Sequence, residues 1–223
     1  MPKSPTKRRP RTVASLTDSA LALFTENGFH ATSISDIVER AGLTRGAFYS
    51  NYRDKEELFL ALYDAHADRL LADLRAEAAR LDPGEDLVDR LLAYTAERAE
   101  QERRWFLVSM EFTLHAARTP AVAELLGAHE ERLVQAVAGV ITETLARTEL
   151  RPAVDAADGA RLLIALFKGL SALRPVQGPQ GLPGAEGLSR RLAPYLVRAL
   201  TTADTPHPNH PNHPNHAEGT TER

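Results

Sequence analysis

The sequence contains no cysteine among its 223 residues. This absence excludes disulfides, thiolate metal ligands and a cysteine nucleophile. Long apolar runs are also missing, because the longest, LLIALF at 162–167, is far shorter than the roughly 18 residues that a membrane span requires. Asp18 and Glu26 interrupt the apolar stretch that a signal peptide would need. We therefore expect a soluble protein of the cytoplasm.

Recognisable catalytic motifs are absent as well. No glycine-rich phosphate loop follows a strand pattern, and PVQGPQGLPG at 175–184 matches neither a P-loop nor a dinucleotide fingerprint. No serine lies in a nucleophile elbow with an ordered histidine and aspartate. With 43% hydrophobic and 26% charged residues, the composition is that of an ordinary folded protein. We expect no enzymatic activity and no cofactor.

Charge is distributed unevenly along the chain. Residues 1–53 contain eight basic and four acidic side chains and have a net charge of +4. Because the net charge of the whole chain is −3, residues 54–223 have a net charge of −7. This asymmetry indicates a small module that faces a polyanion and a larger body with a different partner. The alternative is a basic disordered tail that has no target.

Apolar positions recur with the period of an α-helix, and no segment alternates as a strand does. A first helix is predicted from Val13 to Asn27-Gly28. Ser33 and Thr44 are the predicted N-cap residues of two short helices, and Asp54 is that of a long fourth helix, which ends near Arg80. Further helices are predicted near 85–102, 104–117, 120–148, 155–174 and 186–202. The predicted fold class is all-α.

The two short helices, separated by Gly42, have the pattern of a helix-turn-helix. In that motif the first residues of the second helix reach base edges in the major groove. Arg45 is placed for a bidentate contact to guanine, worth about 1–3 kcal/mol of discrimination. The alternative for Arg45 is a solvated charge near the helix cap.

Further side chains around this motif are candidates for contacts to the DNA backbone. Gly46 permits close approach, and hydroxyl, amide and ammonium groups suit phosphate oxygens. The start of the first short helix offers N–H groups to another phosphate, and the basic arm can follow the backbone or enter the minor groove. Alternatively, Tyr49 is a half-buried core residue, and the basic arm only keeps the protein soluble. The candidates are Thr32, Ser33, Thr44, Gly46, Tyr49, Asn51, Lys55, Lys7, Arg8, Arg9 and Arg11.

Three stretches, ALFTENGF at 22–29, ATSISDIVERAGLTRGAFYSNY at 31–52 and DKEELF at 54–59, carry a family resemblance. Together they resemble the tetracycline-repressor (TetR) family of bacterial transcription regulators, over about 50 residues and without a departure from the family pattern. The resemblance implies an all-helical homodimer, usually a repressor, that binds a palindromic DNA operator and is released by a small-molecule effector. It places the protein in the cytoplasm, associated with the nucleoid.

The resemblance also suggests how the chain is divided. Residues 1–11 are expected to form a disordered basic arm, 12–54 a three-helix DNA-binding head, 55–203 a helical ligand-binding and dimerisation body, and 204–223 a disordered tail. The fourth helix bridges head and body. Its position makes it the natural lever between a ligand and the DNA.

Two groups of residues in the body are candidates for binding. A ligand pocket is mostly apolar with a few polar groups, although aromatic residues at helical spacing also form plain core. The pocket candidates are Tyr94, Trp105, Phe106, Met110, Phe112, His115 and Phe167. The dimer-interface candidates, favoured by the resemblance, are Leu163, Leu166, Leu170, Leu188, Leu192 and Leu196.

Two other functions remain open at this point. His207, His210, His213 and His216 recur every third residue in a proline-rich tail, so a metal-responsive regulator or metal-handling protein is the main alternative. The pair Glu111 and His115 at i, i+4 lacks a third ligand, and for His30, His66 and His129 no partner is visible in the sequence. A sequence-indifferent architectural DNA binder is the other alternative.

Overall fold

The computed structural model describes residues 8–80, 99–147, 150–173, 195 and 199–203. Helices dominate these residues, as the apolar periodicity predicts, and the all-α fold class is confirmed. The elements are α1 (Arg8–Asn27), α2 (Ile34–Arg40), α3 (Arg45–Tyr49), α4 (Lys55–Ala79), α5 (Ala99–Ala117), α6 (Pro120–Leu145), β1 (Leu150–Pro152), α7 (Ala156–Leu173) and β2 (Thr201–Ala203).

The starts of the short helices follow from their capping residues. Ser33 Oγ accepts a hydrogen bond from the Asp36 amide, and the Asp36 carboxylate accepts one from the Ser33 amide at 2.8 Å. Thr44 and Asp54 cap α3 and α4 through their side-chain oxygens. Each such cap contributes about 1 kcal/mol, so these side chains determine where the helices begin.

Two glycines end helices in the head as predicted. Gly28 follows α1 with φ +86°, and Gly42 follows α2 with φ +63°. L-residues with a Cβ rarely adopt this left-handed conformation, whereas glycine does so without strain. The chain can therefore turn sharply before α2 and again before α3.

The structure differs from the sequence prediction at both ends of the chain. Helix α1 begins at Arg8, so residues 8–11 are helical and not part of a disordered arm. Arginine is a good helix former, and Pro10 is tolerated because it lies in the first turn. The two strands were not predicted, because three-residue strands are too short to show alternation. They pair antiparallel, with Leu150 opposite Ala203.

Most of the predicted helices near 85–102 and 186–202 lie outside the described residues. Helix α5 is already formed at Ala99, earlier than the predicted start at residue 104. Among the described helices, none is both long and apolar enough to cross a membrane.

One hydrophobic core joins the helix-turn-helix part to the rest of the protein. Phe24, Phe29 and Phe48 from the N-terminal helices and loop belong to the same buried cluster as Phe59 of α4 and Phe112 of α5. The Phe59 and Phe112 rings stack with centroids 4.0 Å apart. A smaller cluster around Val134, Ala138 and Ala160 packs α6 against α7. We use "head" for α1–α3 and "body" for the part from α4 onward.

The shared core predicts that Phe59 is essential for stability. Phe59→Ala is expected to lower the free energy of unfolding by about 3–5 kcal/mol, because Phe59 is fully buried and its loss leaves a cavity. Urea denaturation at one fixed protein concentration measures this change. Leu107→Ala is the control, since Leu107 is 41% exposed and is expected to change stability by about 0.5 kcal/mol or less. Equal midpoints for both variants would contradict the prediction.

Candidate nucleic-acid interface

Helix α3 is held against α2 by buried apolar side chains. Phe48 is fully buried and lies in the same core cluster as Ile37 and Val38 of α2. The turn between the helices is closed by a hydrogen bond from the Leu43 amide to the Val38 carbonyl at 2.8 Å. Because this face of α3 is occupied, the opposite face is turned to solvent.

Most polar side chains of this exposed face already bond within the protein. Thr44 caps the helix, Ser50 Oγ donates to the Gly46 carbonyl at 2.7 Å, and Asn51 Nδ2 donates to the Ala47 carbonyl at 2.8 Å. Such local hydrogen bonds satisfy the side chains without an external partner. Their predicted contacts to phosphate would therefore compete with bonds inside the protein.

Arg45 and Tyr49 are the polar side chains of α3 that remain free. Both are exposed, Tyr49 to 52%, and neither forms a hydrogen bond or an ion pair within the described part of the chain. They lie four residues apart, so they project from one side of the helix. Gly46 adds no side chain between them, and a Cβ at this position would have Thr44 Oγ1 at 3.7 Å as its nearest side-chain atom.

Neighbouring basic side chains in the head are paired with acidic groups. Arg40 forms a bidentate ion pair with Glu26, at 2.5 and 2.8 Å, and this hydrogen bonding lowers the pKa of Glu26 and raises the pKa of Arg40. Arg53 bonds to Asp54 at 2.9 Å. Between residues 33 and 55, Arg45 is thus the basic side chain without a partner.

Three of the residues predicted to contact DNA form hydrogen bonds within the protein. Lys55 Nζ donates to the carbonyls of Phe29 and Thr32 at 2.7 and 2.8 Å, and burial lowers its pKa. Thr32 is 1% exposed and its hydroxyl donates to the Gly28 carbonyl. The Ser33 amide is taken by Asp36 in the capping box. These bonds hold the loop between α1 and α2, and the phosphate contacts of the three residues stay predictions.

The predicted basic arm is described only in part. Arg9 and Arg11 are exposed in the first turn of α1. Lys7 and the side chain of Arg8 lie outside the described residues. The arm therefore stays a prediction, with three of its four candidate bases, Arg8, Arg9 and Arg11, in helix α1.

The predicted pocket residues that the structure describes are spread over the core and the surface. Phe112 is fully buried and Phe106 is 8% exposed, so both lie in the core. Trp105 stacks on Phe59, and Phe167 is 37% exposed on α7. Met110 is half-buried on α5, His115 bonds to Glu56 at 3.1 Å, and Tyr94 lies outside the described residues.

A cavity of about 200 Å³ lies instead between α4, α6 and α7. Its wall includes Tyr63, Glu130, Leu133, Arg161, Ile164 and Lys168. Lys168 bonds to Glu130 at 2.5 Å, whereas the Tyr63 hydroxyl has no hydrogen-bond partner among the described residues. Burial raises the pKa of Tyr63, so this hydroxyl stays protonated and can donate. The signal in the sequence was Lys168, a charge directly after the apolar run at 162–167.

Helix α7 leaves an apolar stripe exposed. Leu162, Leu163, Leu166 and Phe167 are between 36% and 49% exposed. They include two of the predicted dimer-interface residues. The side chain of Leu170, together with Leu188, Leu192 and Leu196, lies outside the described residues.

No metal site is formed within the described ranges, where no three His, Cys, Asp or Glu side chains come together in a way that could hold an ion. The pair Glu111 and His115 serves a different purpose. Glu111 accepts a hydrogen bond from the Phe29 amide at 2.7 Å, and His115 bonds to Glu56. Both contacts join α5 to the N-terminal part. The four histidines of the tail lie outside the described residues.

Comparison with known proteins agrees with this arrangement. Residues 16–62 match the family model described as bacterial regulatory proteins, tetR family. Residues 83–201, more than half of the chain, match the model of the C-terminal part of BetI-type transcriptional repressors.

The individual relatives are also transcriptional regulators. The transcriptional regulator UidR of Escherichia coli (strain K12) is 26% identical over 155 residues, which are 70% of this chain and 77% of UidR. The transcriptional repressor ComR of the same strain is 29% identical over 191 residues, 81% of this chain and 88% of ComR. GusR of Salmonella enterica has a similar fold, with a TM-score of 0.66, 24% identity, and coverage of 88% of this chain and 98% of GusR. The chain therefore belongs to the tetR family of bacterial regulatory proteins and is a ligand-responsive, DNA-binding transcriptional regulator of the repressor type.

Proposed function

We propose that the protein binds a palindromic operator as a homodimer, with Arg45 reading a base and Tyr49 contacting a phosphate, and that a small molecule bound in the body releases it. The observation that carries this proposal is the exposed face of α3, on which Arg45 and Tyr49 are the polar side chains left without partners. Their neighbours are used for capping and internal bonds. A free guanidinium at the start of a recognition helix is suited to guanine O6 and N7.

The dimer is supported by the apolar stripe of α7. Leu162, Leu163, Leu166 and Phe167 form a continuous exposed patch on one helix, and burial of such a patch in a second copy would be favourable. A two-fold dimer presents two α3 helices, and successive major grooves on one DNA face are about 34 Å apart. This geometry requires an operator with two inverted half-sites.

The cavity between α4, α6 and α7 is the candidate effector site. Its volume of about 200 Å³ suits a small ligand, and its wall combines apolar groups with the Tyr63 hydroxyl and the Lys168–Glu130 pair. A ligand weakens DNA binding if it prefers a dimer whose heads are wrongly spaced. A coupling free energy of about 1–3 kcal/mol gives a several-fold to hundred-fold change in DNA affinity.

The base-reading role of Arg45 is tested by DNA selection followed by binding measurements. Genomic fragments bound by the protein are selected, and the operator is then measured by fluorescence anisotropy with every base of one half-site changed in turn. Arg45→Ala is expected to lose about 1–3 kcal/mol of discrimination at one base pair and to keep it elsewhere. Arg75→Ala, an exposed arginine on α4, is the control and is expected to match the wild type. Unchanged discrimination in Arg45→Ala would contradict base reading.

A structural role for Lys55 predicts a different behaviour. Lys55→Met is expected to lower the free energy of unfolding by about 1.5–3 kcal/mol, because two hydrogen bonds from a charged donor are lost. The slope of log affinity against log salt concentration is expected to stay the same, since each phosphate contact contributes about 0.9 to that slope. A decrease of about one in the slope would show that Lys55 does contact phosphate.

The dimer is tested by a charge in the α7 stripe. Leu166→Glu is expected to produce monomers in analytical ultracentrifugation, because a buried unpaired carboxylate is costly. Leu125→Glu on α6 is the matched control, since Leu125 is 41% exposed and Leu166 is 39% exposed. If both variants remain dimeric, the α7 stripe is not the interface.

A further inference from the structure

The loop between α1 and α2, residues 28–32, is bound on both sides by groups from outside the head. The Phe29 amide donates to Glu111 Oε2 of α5 at 2.7 Å. The Phe29 carbonyl accepts from Lys55 Nζ of α4 at 2.7 Å, and the same ammonium lies 4.3 Å from the centroid of the Phe29 ring. Both main-chain polar groups of one head residue are therefore bound by body side chains of opposite charge.

Gly28 shows how closely the loop fits the Glu111 carboxylate. A Cβ on Gly28 would lie 2.7 Å from Glu111 Oε2, closer than real Cβ atoms approach, and 3.0 Å from Glu111 Oε1. The backbone of Gly28 also has φ +86°, which disfavours any other residue. The loop is thus shaped to receive the carboxylate of α5.

Aromatic packing reinforces the same contact. The Phe29 ring meets Phe112 edge-on, with centroids 5.0 Å apart at 87°, and meets Phe59 at 5.6 Å. His115, one turn beyond Glu111, bonds to Glu56 at the start of α4. Apolar contacts of this kind are non-directional and allow rotation, whereas hydrogen bonds require a defined angle. The hydrogen bond to Glu111 therefore restricts the orientation of the loop and also holds the loop against α5.

The loop is placed where its orientation affects the DNA-binding surface. It leads directly into α2, and α2 carries α3 on its buried face. A small rotation of the loop against α5 changes the direction in which Arg45 and Tyr49 project from the body. In a dimer held together by its body, that rotation would change the distance between the two α3 helices.

We propose that Glu111 is a positioning residue that fixes the separation of the two heads, and hence the half-site spacing that the protein accepts. This inference rests on the proposed homodimer and palindromic operator. It assigns Glu111 no contact with DNA or with an effector. Its effect passes through the Phe29 amide.

The test is a set of operators that differ only in the spacing between their half-sites. The full-length wild type is measured by fluorescence anisotropy on the selected operator, on versions with one or two base pairs added or removed, and on a single half-site. Glu111→Ala is expected to reduce the preference for the native spacing by roughly tenfold, as the loss of a hydrogen bond to a charged group implies. Affinity for the single half-site is expected to stay the same.

Two further variants distinguish an effect on the orientation of the loop from a general loss of stability. Glu111→Gln keeps an acceptor oxygen without the charge and is expected to give an intermediate spacing preference. Glu124→Ala removes an exposed carboxylate on α6 that has no partner among the described residues, and is expected to match the wild type. Hydrogen exchange of the Phe29 amide is expected to be roughly 10- to 100-fold faster in Glu111→Ala, and unchanged in Glu124→Ala.

Several results of these measurements would overturn the proposed role of Glu111. Faster exchange of the Phe29 amide with an unchanged spacing preference would overturn the inference, as would an equal loss of affinity for all DNAs including the half-site. If Glu111→Ala does not fold, Glu111→Gln is used, and a wild-type spacing preference in that variant with faster exchange overturns it. A wild type without any spacing preference would instead refute the proposed dimeric operator binding, and the Glu111 inference with it.

Discussion

Head and body are not separate units, because Phe59 of α4 packs against Phe24 and Phe29 of the head as well as against the body. Its ring stacks on Phe112 of α5, lies beside Trp105, and belongs to the cluster that contains Phe24 and Phe29. Interiors packed in this way are close to crystal density and transmit displacements without absorbing them. A ligand that shifts α4 or α5 therefore moves the surface that carries Arg45. A flexible linker between head and body would dissipate the shift.

Features governed by near neighbours in the chain were predictable. The capping box at Ser33, the cap at Thr44 and the left-handed Gly28 each depend on residues within about one helical turn, and the structure has all three. The role of Lys55 was not predictable, because its acceptors are main-chain carbonyls 26 and 23 residues away. Every segment offers such carbonyls, so they leave no trace in the sequence. The Glu111 contact spans 82 residues and has the same character, although the i, i+4 spacing with His115 correctly placed both on one helix face.

The pocket illustrates a second limit of sequence reasoning. Aromatic residues at helical spacing show which face of α5 is apolar, but not whether that face meets another helix or a void. Phe106 and Phe112 are buried, whereas the cavity lies between α4, α6 and α7, with Tyr63 in its wall. The position of a void depends on how three helices cross, and crossing angles follow from all the side chains at the contact. A charged residue next to an apolar stretch, such as Lys168, is a better indicator, and in the structure its ammonium is paired with Glu130 at the cavity wall.

The ion pairs of the head determine how many of its basic side chains can contact DNA. Among the described bases of residues 1–53, Arg40 and Arg53 are paired with Glu26 and Asp54, which leaves Arg9, Arg11 and Arg45 as exposed cations without an ion pair. If these three are the cations that contact DNA, one head releases only a few counterions and binds DNA weakly. In the proposed homodimer, two heads on one operator gain affinity from the high effective concentration of the second head, and that gain disappears when the geometry forbids both from binding. Weak individual heads thus make affinity depend on their separation, which is the quantity that a ligand in the body is able to change.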